Sequence, residues 1–180
     1  MRAIAPIVLM SSLLAACETP RVAPRYTAAT DAGTTLRSMG ASGVGVRSFE
    51  GPSTLGNCRG LKPLALPDGI SPTQYIQKAF EAEFKAVGAL AEGHSRVTLS
   101  GRVEAMSFSS TKAITMGEWS LALLLHSTNG QTMRVQESME FDSAFEAGEA
   151  CQNTANAFAQ VVQNLVRKSV QDPAFAGLLR

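Results

Sequence analysis

The sequence predicts an α+β domain, a two-layer sandwich in the order β-α-β-β-β-α with a mainly antiparallel sheet and two helices packed on one face. Three observations predict it: apolar residues alternate with polar ones over 97–103 and 119–141, a strongly capped helix follows Ser71, and a second helical apolar stripe ends before Pro173. Elements that each carry one apolar face bury those faces against each other.

The first strand and the first helix have clear local signals. Residues 44–49 alternate apolar with small or polar side chains, which is typical of a strand. Ser71 is the predicted N-cap of the helix, Pro72 occupies its first position, and Gln74 completes a capping box. Gly88 lies where a C-terminal glycine cap belongs. The apolar residues between these ends recur at helical spacing: Ile76, Ala79, Phe80, Phe84 and Val87.

The second strand begins with regular alternation and then changes phase. Val97, Leu99, Gly101 and Val103 share one face. The apolar parity afterwards shifts to even positions at Met106 and Phe108. A β-bulge would produce this one-residue change, and the end of the strand is the alternative.

The third and fourth strands read as a hairpin. Each strand has an apolar set at odd positions: Trp119, Leu121, Leu123 and Leu125 in the first, and Met133, Val135, Met139 and Phe141 in the second. Because directly opposed residues share a face, a three-residue loop over 128–130 is required, with Leu125 opposite Met133 and Gly130 left-handed. The same register places Glu137 opposite Leu121 on the apolar face, either at a sheet edge or beside an unidentified partner.

The last helix is predicted to begin between Ser143 and Ala150 and to end at Pro173. Ser143 and Glu146 form a candidate capping box, which Gly148 weakens. The apolar stripe of this helix is long and regular: Cys151, Ala155, Phe158, Val161, Val162, Leu165 and Val166.

Residues 1–16 have the features of a secretory signal peptide: a positive start, a short apolar stretch and small residues before a cysteine. The sequence Leu14-Ala15-Ala16-Cys17 resembles the bacterial lipobox. That resemblance implies that Cys17 is acylated and becomes the new N-terminus, so that the lipid bilayer is a partner of the chain. An ordinary signal peptide with a chance cysteine is the alternative. In well-studied Gram-negative lipoproteins, aspartate directly after the lipidated cysteine favours retention in the inner membrane. This sequence has Glu18 at that position, so the resemblance implies anchoring at the outer membrane, on its periplasmic face.

Residues 17–42 are predicted to be the lipidated cysteine and a flexible tether, followed by a single periplasmic domain over 43–180. The tether has two prolines, many Ala and Thr, and few large apolar residues, a composition that buries little surface. A flexible chain of this length spans about 25–30 Å. Alternatively, the segment from Ala28 to Met39 forms a short helix that docks on the domain.

Two cysteines, Cys58 and Cys151, remain after lipidation. In an oxidising compartment they are expected to form a disulfide between the first long loop and the start of the last helix. Two separate thiols are the alternative. A thiol redox function is disfavoured because the sequence has no Cys-x-x-Cys motif.

No pattern of catalytic, metal-binding or cofactor-binding residues stands out. The two histidines, His94 and His126, are expected at the surface, and neither belongs to a metal-ligand pair. Trp119 is expected in the core. The polar residues of the fourth strand, Thr132, Arg134, Gln136 and Ser138, form either a solvated face or a partner surface. With 16 basic and 15 acidic residues and no basic run, the chain is not expected to bind nucleic acid.

A wider resemblance covers roughly residues 44–172. It rests on Val44-Gly45-Val46 with Phe49, on the helix from Tyr75 to Phe84, and on the pattern Val97-x-Leu99-x-Gly101-x-Val103. In this order of elements the domain is similar to YajG-type periplasmic lipoproteins, to the curli-secretion lipoprotein and to penicillin-binding-protein activator lipoproteins. The long Pro-rich loop with Cys58 departs from that pattern.

Two functions follow as expectations. The resemblance implies a non-enzymatic binding or assembly factor that docks on an envelope complex for transport, secretion or cell-wall synthesis. The alternative is a small-ligand carrier or a cryptic hydrolase. A deep pocket with converging polar groups would favour the alternative, and a groove or flat patch near the sheet edge would favour the accessory factor.

Overall fold

Four strands form one sheet in the order β1-β2-β3-β4, with β1 over Val44–Val46, β2 over Val97–Ala113, β3 over Met116–Ser127 and β4 over Thr132–Asp142. Strand β1 pairs with β2 in parallel, and the other pairs are antiparallel. The computed structural model describes residues 20–61 and 63–180, so the predicted signal peptide and Cys17 lie outside the described residues. The predicted α+β fold is confirmed.

The described helices are α1 over Thr30–Ser38, α2 over Pro72–Ala86, α3 over Ala147–Gln171 and α4 over Phe175–Leu178. Helices α2 and α3 cover one face of the sheet, as predicted. Helix α1 packs on α2 and α3, and the short α4 packs on α3 and β4. A single turn of 3-10 helix over Pro67–Gly69 precedes α2. Helix α4 was not predicted from the sequence, and its side chains Phe175 and Leu178 are fully buried.

Both ends of α2 form as the sequence predicts. The side chain of Ser71 accepts a hydrogen bond from the backbone of Gln74, and the side chain of Gln74 accepts one from the backbone of Ser71. Gly88 follows the helix with a φ of 70°, the left-handed conformation that glycine adopts without steric cost.

The predicted hairpin register is present, and β2 continues through the change of phase. Val103 pairs with Leu123 and Ala105 with Ala122, so one residue of β2 between them has no opposite neighbour; of the two alternatives, the β-bulge is the one observed. At the other end of β3, Leu125 pairs with Met133 across a three-residue loop. Gly130 has a φ of 86° in that loop.

The core lies between the helices and the apolar face of the sheet. Trp119 is fully buried, as expected, and its indole N–H donates to the carbonyl of Thr154 in α3 at 2.9 Å. The largest fully buried side chains come from both layers: Phe80, Phe84, Phe158, Phe175, Leu36, Ile76, Leu99, Leu123, Leu125, Leu165 and Leu178.

The flexible tether predicted over 17–42 is wrong for residues 20–42, which pack on the domain. The backbone N–H of Ala23 bonds to Ala65, and the hydroxyl of Tyr75 donates to the carbonyl of Pro24 at 2.8 Å. The alternative of a docked helix is the one observed, because α1 buries Ala32 and Leu36 completely. Composition was a poor guide here, because this segment is held by a few buried side chains such as Leu36 and by hydrogen bonds to residues distant in sequence.

Candidate functional site

The two edges of the sheet differ in how they are covered. At the β1 edge, Val44 exchanges backbone hydrogen bonds with Ala89 and Ala91. Beyond β1, the backbone of Arg47 bonds to Leu99 and that of Glu50 to Gly101 and Val103, which continues the cover along β2. Strand β4 forms the opposite edge and is eleven residues long.

The register of β4 shows which of its backbone groups point outward. Ser127 and Gln131 are a hydrogen-bonded pair next to the hairpin loop, so odd-numbered residues of β4 bond to β3. The N–H and C=O groups of even-numbered residues therefore face away from the sheet. One of them, the carbonyl of Gln136, accepts a 2.6 Å hydrogen bond from Lys168 of α3.

The segment beyond Gln136 is the candidate site. We call residues 138–142, with the groove beside them, the free edge. Within the described part of the chain, no hydrogen bond reaches the outward backbone groups of Ser138, Glu140 and Asp142. The adjoining groove has a volume of about 510 Å³. It is lined by Met116, Glu140, Phe141 and Asp142 from the sheet and by Asn153, Asn156, Ala157 and Gln160 from α3.

The lining of the groove is more polar than apolar and includes side-chain amides from α3 together with the apolar residues Met116, Phe141 and Ala157. Glu140 shares the ammonium of Lys112 with Glu118, each at 2.7 Å. The hydrogen bonds that Lys112 donates to Glu118 and Glu140 raise the pKa of its ammonium above the ordinary value. An extended polypeptide fits such a surface, because main-chain groups of the strand and side-chain amides of α3 lie on the two sides of one channel.

Polar side chains on the solvent face of β4 form hydrogen bonds with side chains of the other strands. Arg134 donates two hydrogen bonds to Glu104 at 2.7 and 2.9 Å, and these bonds lower the pKa of that carboxyl. Ser138 bonds to Ser120 on β3. Of the two interpretations of this polar face, these contacts favour a solvated surface.

Glu137, the carboxylate predicted on the apolar face, lies opposite Leu121 as expected. Its partner is Lys168, whose ammonium lies 3.2 Å from the carboxylate and also bonds to Gln136. Lys168 thus covers the middle of the β4 edge. The sequence contained both residues, but their 31-residue separation hid the pairing.

Cys58 and Cys151 form a disulfide, as predicted, with their Cα atoms 5.7 Å apart. The neighbouring Arg59 extends this link: its guanidinium donates to the carbonyls of Ser110 and Phe145 at 2.7 and 3.0 Å. The first long loop is therefore tied to α3, to the end of β2 and to the β4–α3 connection.

A buried carboxylate joins α1 to α2. Oε1 of Glu83 accepts hydrogen bonds from the hydroxyl of Tyr26 at 2.6 Å and from the backbone of Ala29 at 2.8 Å, while Oε2 has no hydrogen-bond partner within residues 20–61 and 63–180. Burial, with the bond to Glu83, raises the pKa of Tyr26, and burial raises the pKa of Tyr75 to about 12. Both hydroxyls therefore stay protonated as donors. No local sequence pattern predicts this cluster, because Tyr26 and Glu83 are 57 residues apart.

The histidines lie where the sequence places them. His94 is exposed in the loop before β2, and His126 is half-buried near the β3–β4 hairpin. In the described ranges, no group of three or more His, Cys, Asp and Glu side chains is placed to hold a metal ion. Among the helices that the structure describes, none is long and apolar enough to cross a bilayer.

Comparison with known proteins yields structural likeness alone. No family model matches the sequence, and no curated protein matches it. The fold is similar to that of a Xanthomonas campestris protein of the DUF330 family, with a TM-score of 0.51 and 13% identity over 88% of this chain and 93% of that one. A candidate lipoprotein of Caulobacter crescentus CB15 gives a TM-score of 0.48 and 12% identity over 79% of this chain and 92% of that one.

At 13% identity, the likeness to the Xanthomonas campestris protein shows a shared fold and nothing more. Neither neighbour is described as a YajG-type, curli-secretion or penicillin-binding-protein activator protein. The finer resemblance stays a prediction from the sequence.

Proposed function

We propose that the chain is a lipoprotein of the outer membrane, acylated at Cys17, whose periplasmic domain is a non-enzymatic accessory factor for an envelope complex. The domain binds an extended segment of its protein partner along the free edge. The observation that carries this proposal is the run of outward backbone groups at Ser138, Glu140 and Asp142 beside an open groove of about 510 Å³.

The lipobox supports the anchor. All four positions of Leu14-Ala15-Ala16-Cys17 match the lipobox pattern, and Glu18 favours the outer membrane. Several acyl chains on one cysteine hold a protein at the bilayer durably, because each buried methylene contributes about 0.8 kcal/mol.

The free edge supports binding by strand addition. A partner strand would pair its main chain with the outward groups of β4, which gives affinity largely independent of sequence. Its alternate side chains would point toward the apolar residues Met116, Phe141 and Ala157 of the groove. The carboxylates of Glu140 and Asp142 would favour a partner segment that carries a basic residue.

A small-ligand carrier or hydrolase receives less support. Such a protein needs a concave site with converging polar groups, commonly about 300–1,000 Å³ in volume. The groove and two further clefts, of about 340 and 380 Å³, reach that size but are open to solvent, and the cavity between Tyr26 and Tyr75 holds about 180 Å³.

In-cell crosslinking and affinity recovery of the tagged full-length chain tests the proposal. S138P removes an outward N–H without touching the hydrogen bonds to β3, because proline is tolerated at such edge positions. S138A is the first control, since it removes the hydroxyl that bonds to Ser120 and keeps the N–H. T132P is the second control: it makes the same backbone change at the far end of β4.

Recovery of one envelope complex with the wild type, S138A and T132P, and its loss with S138P and with C17A, is the expected result. Equal recovery with S138P and T132P would overturn binding at the free edge. If the wild-type chain enriches no envelope protein, the accessory function itself is wrong.

A further inference from the structure

The large apolar side chains that remain exposed gather at one end of the molecule. Among residues 20–61 and 63–180, the exposed large apolar residues are Val22, Ile114, Met116 and Phe145. Phe145 is 86% exposed and Ile114 is 80% exposed, so both project almost wholly into solvent. We call these four residues the apolar end.

Specific contacts bring the apolar end together from distant parts of the sequence. The backbone N–H of Ser143 donates to the carbonyl of Thr115, which places the Ile114 turn beside the segment that carries Phe145. Arg59 links the carbonyl of Phe145 to that of Ser110 near the same turn. In the first turns of α3, the side chain of Gln152 donates to the carbonyl of Val22 at 3.2 Å.

The lipid-bearing cysteine lies close to this end along the chain. The carbonyl of Arg21 accepts a hydrogen bond from the backbone of Ala65, so the chain is already held at Arg21. The Arg21 guanidinium lies against Gly148 in the first turn of α3. Cys17 precedes Pro20 by three residues, which span at most about 11 Å when fully extended. An acylated Cys17 therefore keeps the bilayer within about that distance of Pro20, next to the apolar end.

We propose that the apolar end rests on the membrane that the acyl chains enter, with Phe145 and Ile114 inserted among the lipid headgroups. This inference rests on the acylation of Cys17 in the proposed function. Aromatic and aliphatic side chains that dock in this way lie about 5–10 Å into the boundary between headgroups and acyl chains. The domain then has one fixed orientation, instead of the free rotation that a long tether would allow.

The contact is apolar and not electrostatic. Within residues 20–61 and 63–180, the lysine nearest in sequence to Ile114 is Lys112, and it is paired with both Glu118 and Glu140. Glu146 adds a further carboxylate beside Arg21 and Arg59. Insertion should therefore occur in uncharged bilayers and persist at high salt, where attraction to anionic lipid would be screened.

This orientation also determines where the free edge lies relative to the membrane. Met116 belongs to the apolar end and lines the groove as well. A partner segment bound in the groove would lie beside the membrane surface. The partner strand is thus expected to come from the membrane-proximal part of an envelope protein.

Fluorescence quenching by brominated lipid tests the insertion. The lipidated full-length protein, purified from cells as wild type, I114W, F145W and Q131W, is reconstituted in vesicles of phosphatidylcholine with plain or brominated chains. Native Trp119 is fully buried and gives the same background in every variant. Q131W is the matched control because Gln131 is exposed at the opposite end of β3, about 36 Å from Met116 at the usual strand rise.

We expect brominated chains to quench the fluorescence of the added tryptophan in I114W and F145W, and its emission to shift to shorter wavelength. The fluorescence of Q131W and of the wild type should be the same in plain and brominated vesicles. High salt leaves the quenching intact. If the protein sediments with the vesicles and F145W is as unquenched as Q131W, the insertion is wrong while the lipid anchor stands. If the wild-type protein does not sediment with vesicles, both the anchor and the insertion are overturned.

Discussion

The hydroxyl of Tyr26 donates a 2.6 Å hydrogen bond to Glu83, a carboxylate of α2 that is almost completely buried. Ala29, which immediately precedes α1, donates its backbone N–H to the same oxygen. A side chain from the C-terminal half of α2 therefore holds the chain on the N-terminal side of α1. The segment that precedes α1 is part of the folded domain and not a spacer.

Substituting Tyr26 with phenylalanine should loosen this segment. Y26F leaves a buried acceptor with one partner fewer, which typically costs about 1–3 kcal/mol. We expect lower stability in urea unfolding and faster tryptic cleavage after Arg25. D68N is the control: it breaks the Arg25–Asp68 ion pair in the same segment, and both of those side chains are more than half exposed. Such pairs contribute little. Equal tryptic cleavage of Y26F and D68N would contradict this role for Tyr26.

The disulfide should supply a large share of the stability. Cys58 and Cys151 are 93 residues apart in sequence, and cross-links over such spans remove much of the unfolded chain's entropy. The double variant C58A/C151A is expected to lose about 2–5 kcal/mol of unfolding free energy. Urea unfolding with and without a thiol reductant checks this, and the reduced wild type should match the double variant. Insensitivity of the wild type to reductant would show that the bond contributes no stability.

The cap at the start of α3 should make the stability of the protein depend on pH. Glu146 caps this helix by accepting the backbone N–H groups of Gly148 and Glu149 at 2.8 and 2.7 Å, and these bonds hold the pKa of its carboxyl below the ordinary value of 4.5. A carboxyl whose pKa is lowered by folding stabilises the protein above its ordinary pKa, and that stabilisation fades as the pH falls below it.

Thermal unfolding of E146Q against wild type should therefore show a lower midpoint at pH 7. The gap should narrow as the pH falls below about 4.5. E92Q, in an exposed loop, is the charge-matched control. A gap between E146Q and wild type that does not change with pH would mean that the charged cap is not its cause.

Most of the sheet and helix α2 could be predicted from short-range patterns in the sequence. The odd parity of Leu125 and Met133 required the three-residue hairpin loop that is present, and the phase change after Val103 marked a real bulge. The capping box at Ser71 fixed the start of α2. Each of these signals lies within a few residues of the feature that it determines.

The features that position the candidate site depend on distant pairs. Tyr26 and Glu83 are 57 residues apart, so composition alone made the N-terminal segment resemble a tether. Lys168 reaches Gln136 from a different layer, and only the packed structure shows which part of the β4 edge stays open. The apolar end likewise combines Val22, Ile114 and Phe145, which no single stretch of sequence brings together.

Gly101 is held to glycine by a close contact that the alternating pattern of β2 does not reveal. It occupies an apolar-face position between Leu99 and Val103 because the ring of Phe49 lies directly over it: a Cβ at Gly101 would come within 2.6 and 2.7 Å of two ring carbons. That ring also packs on Phe80, with centroids 5.7 Å apart. G101A should therefore force Phe49 out of place and cost about 1–3 kcal/mol in urea unfolding, as overpacking does.

Two further variants separate this overpacking from a general effect of losing a glycine. G93A lies in an exposed loop, where an added Cβ meets no atom within 4 Å, and should leave the stability unchanged. Adding F49L to G101A replaces the ring with a smaller side chain and should recover part of the loss. If G101A is as stable as G93A, Phe49 can move aside at no cost, and the ring is not the reason that glycine occupies this position.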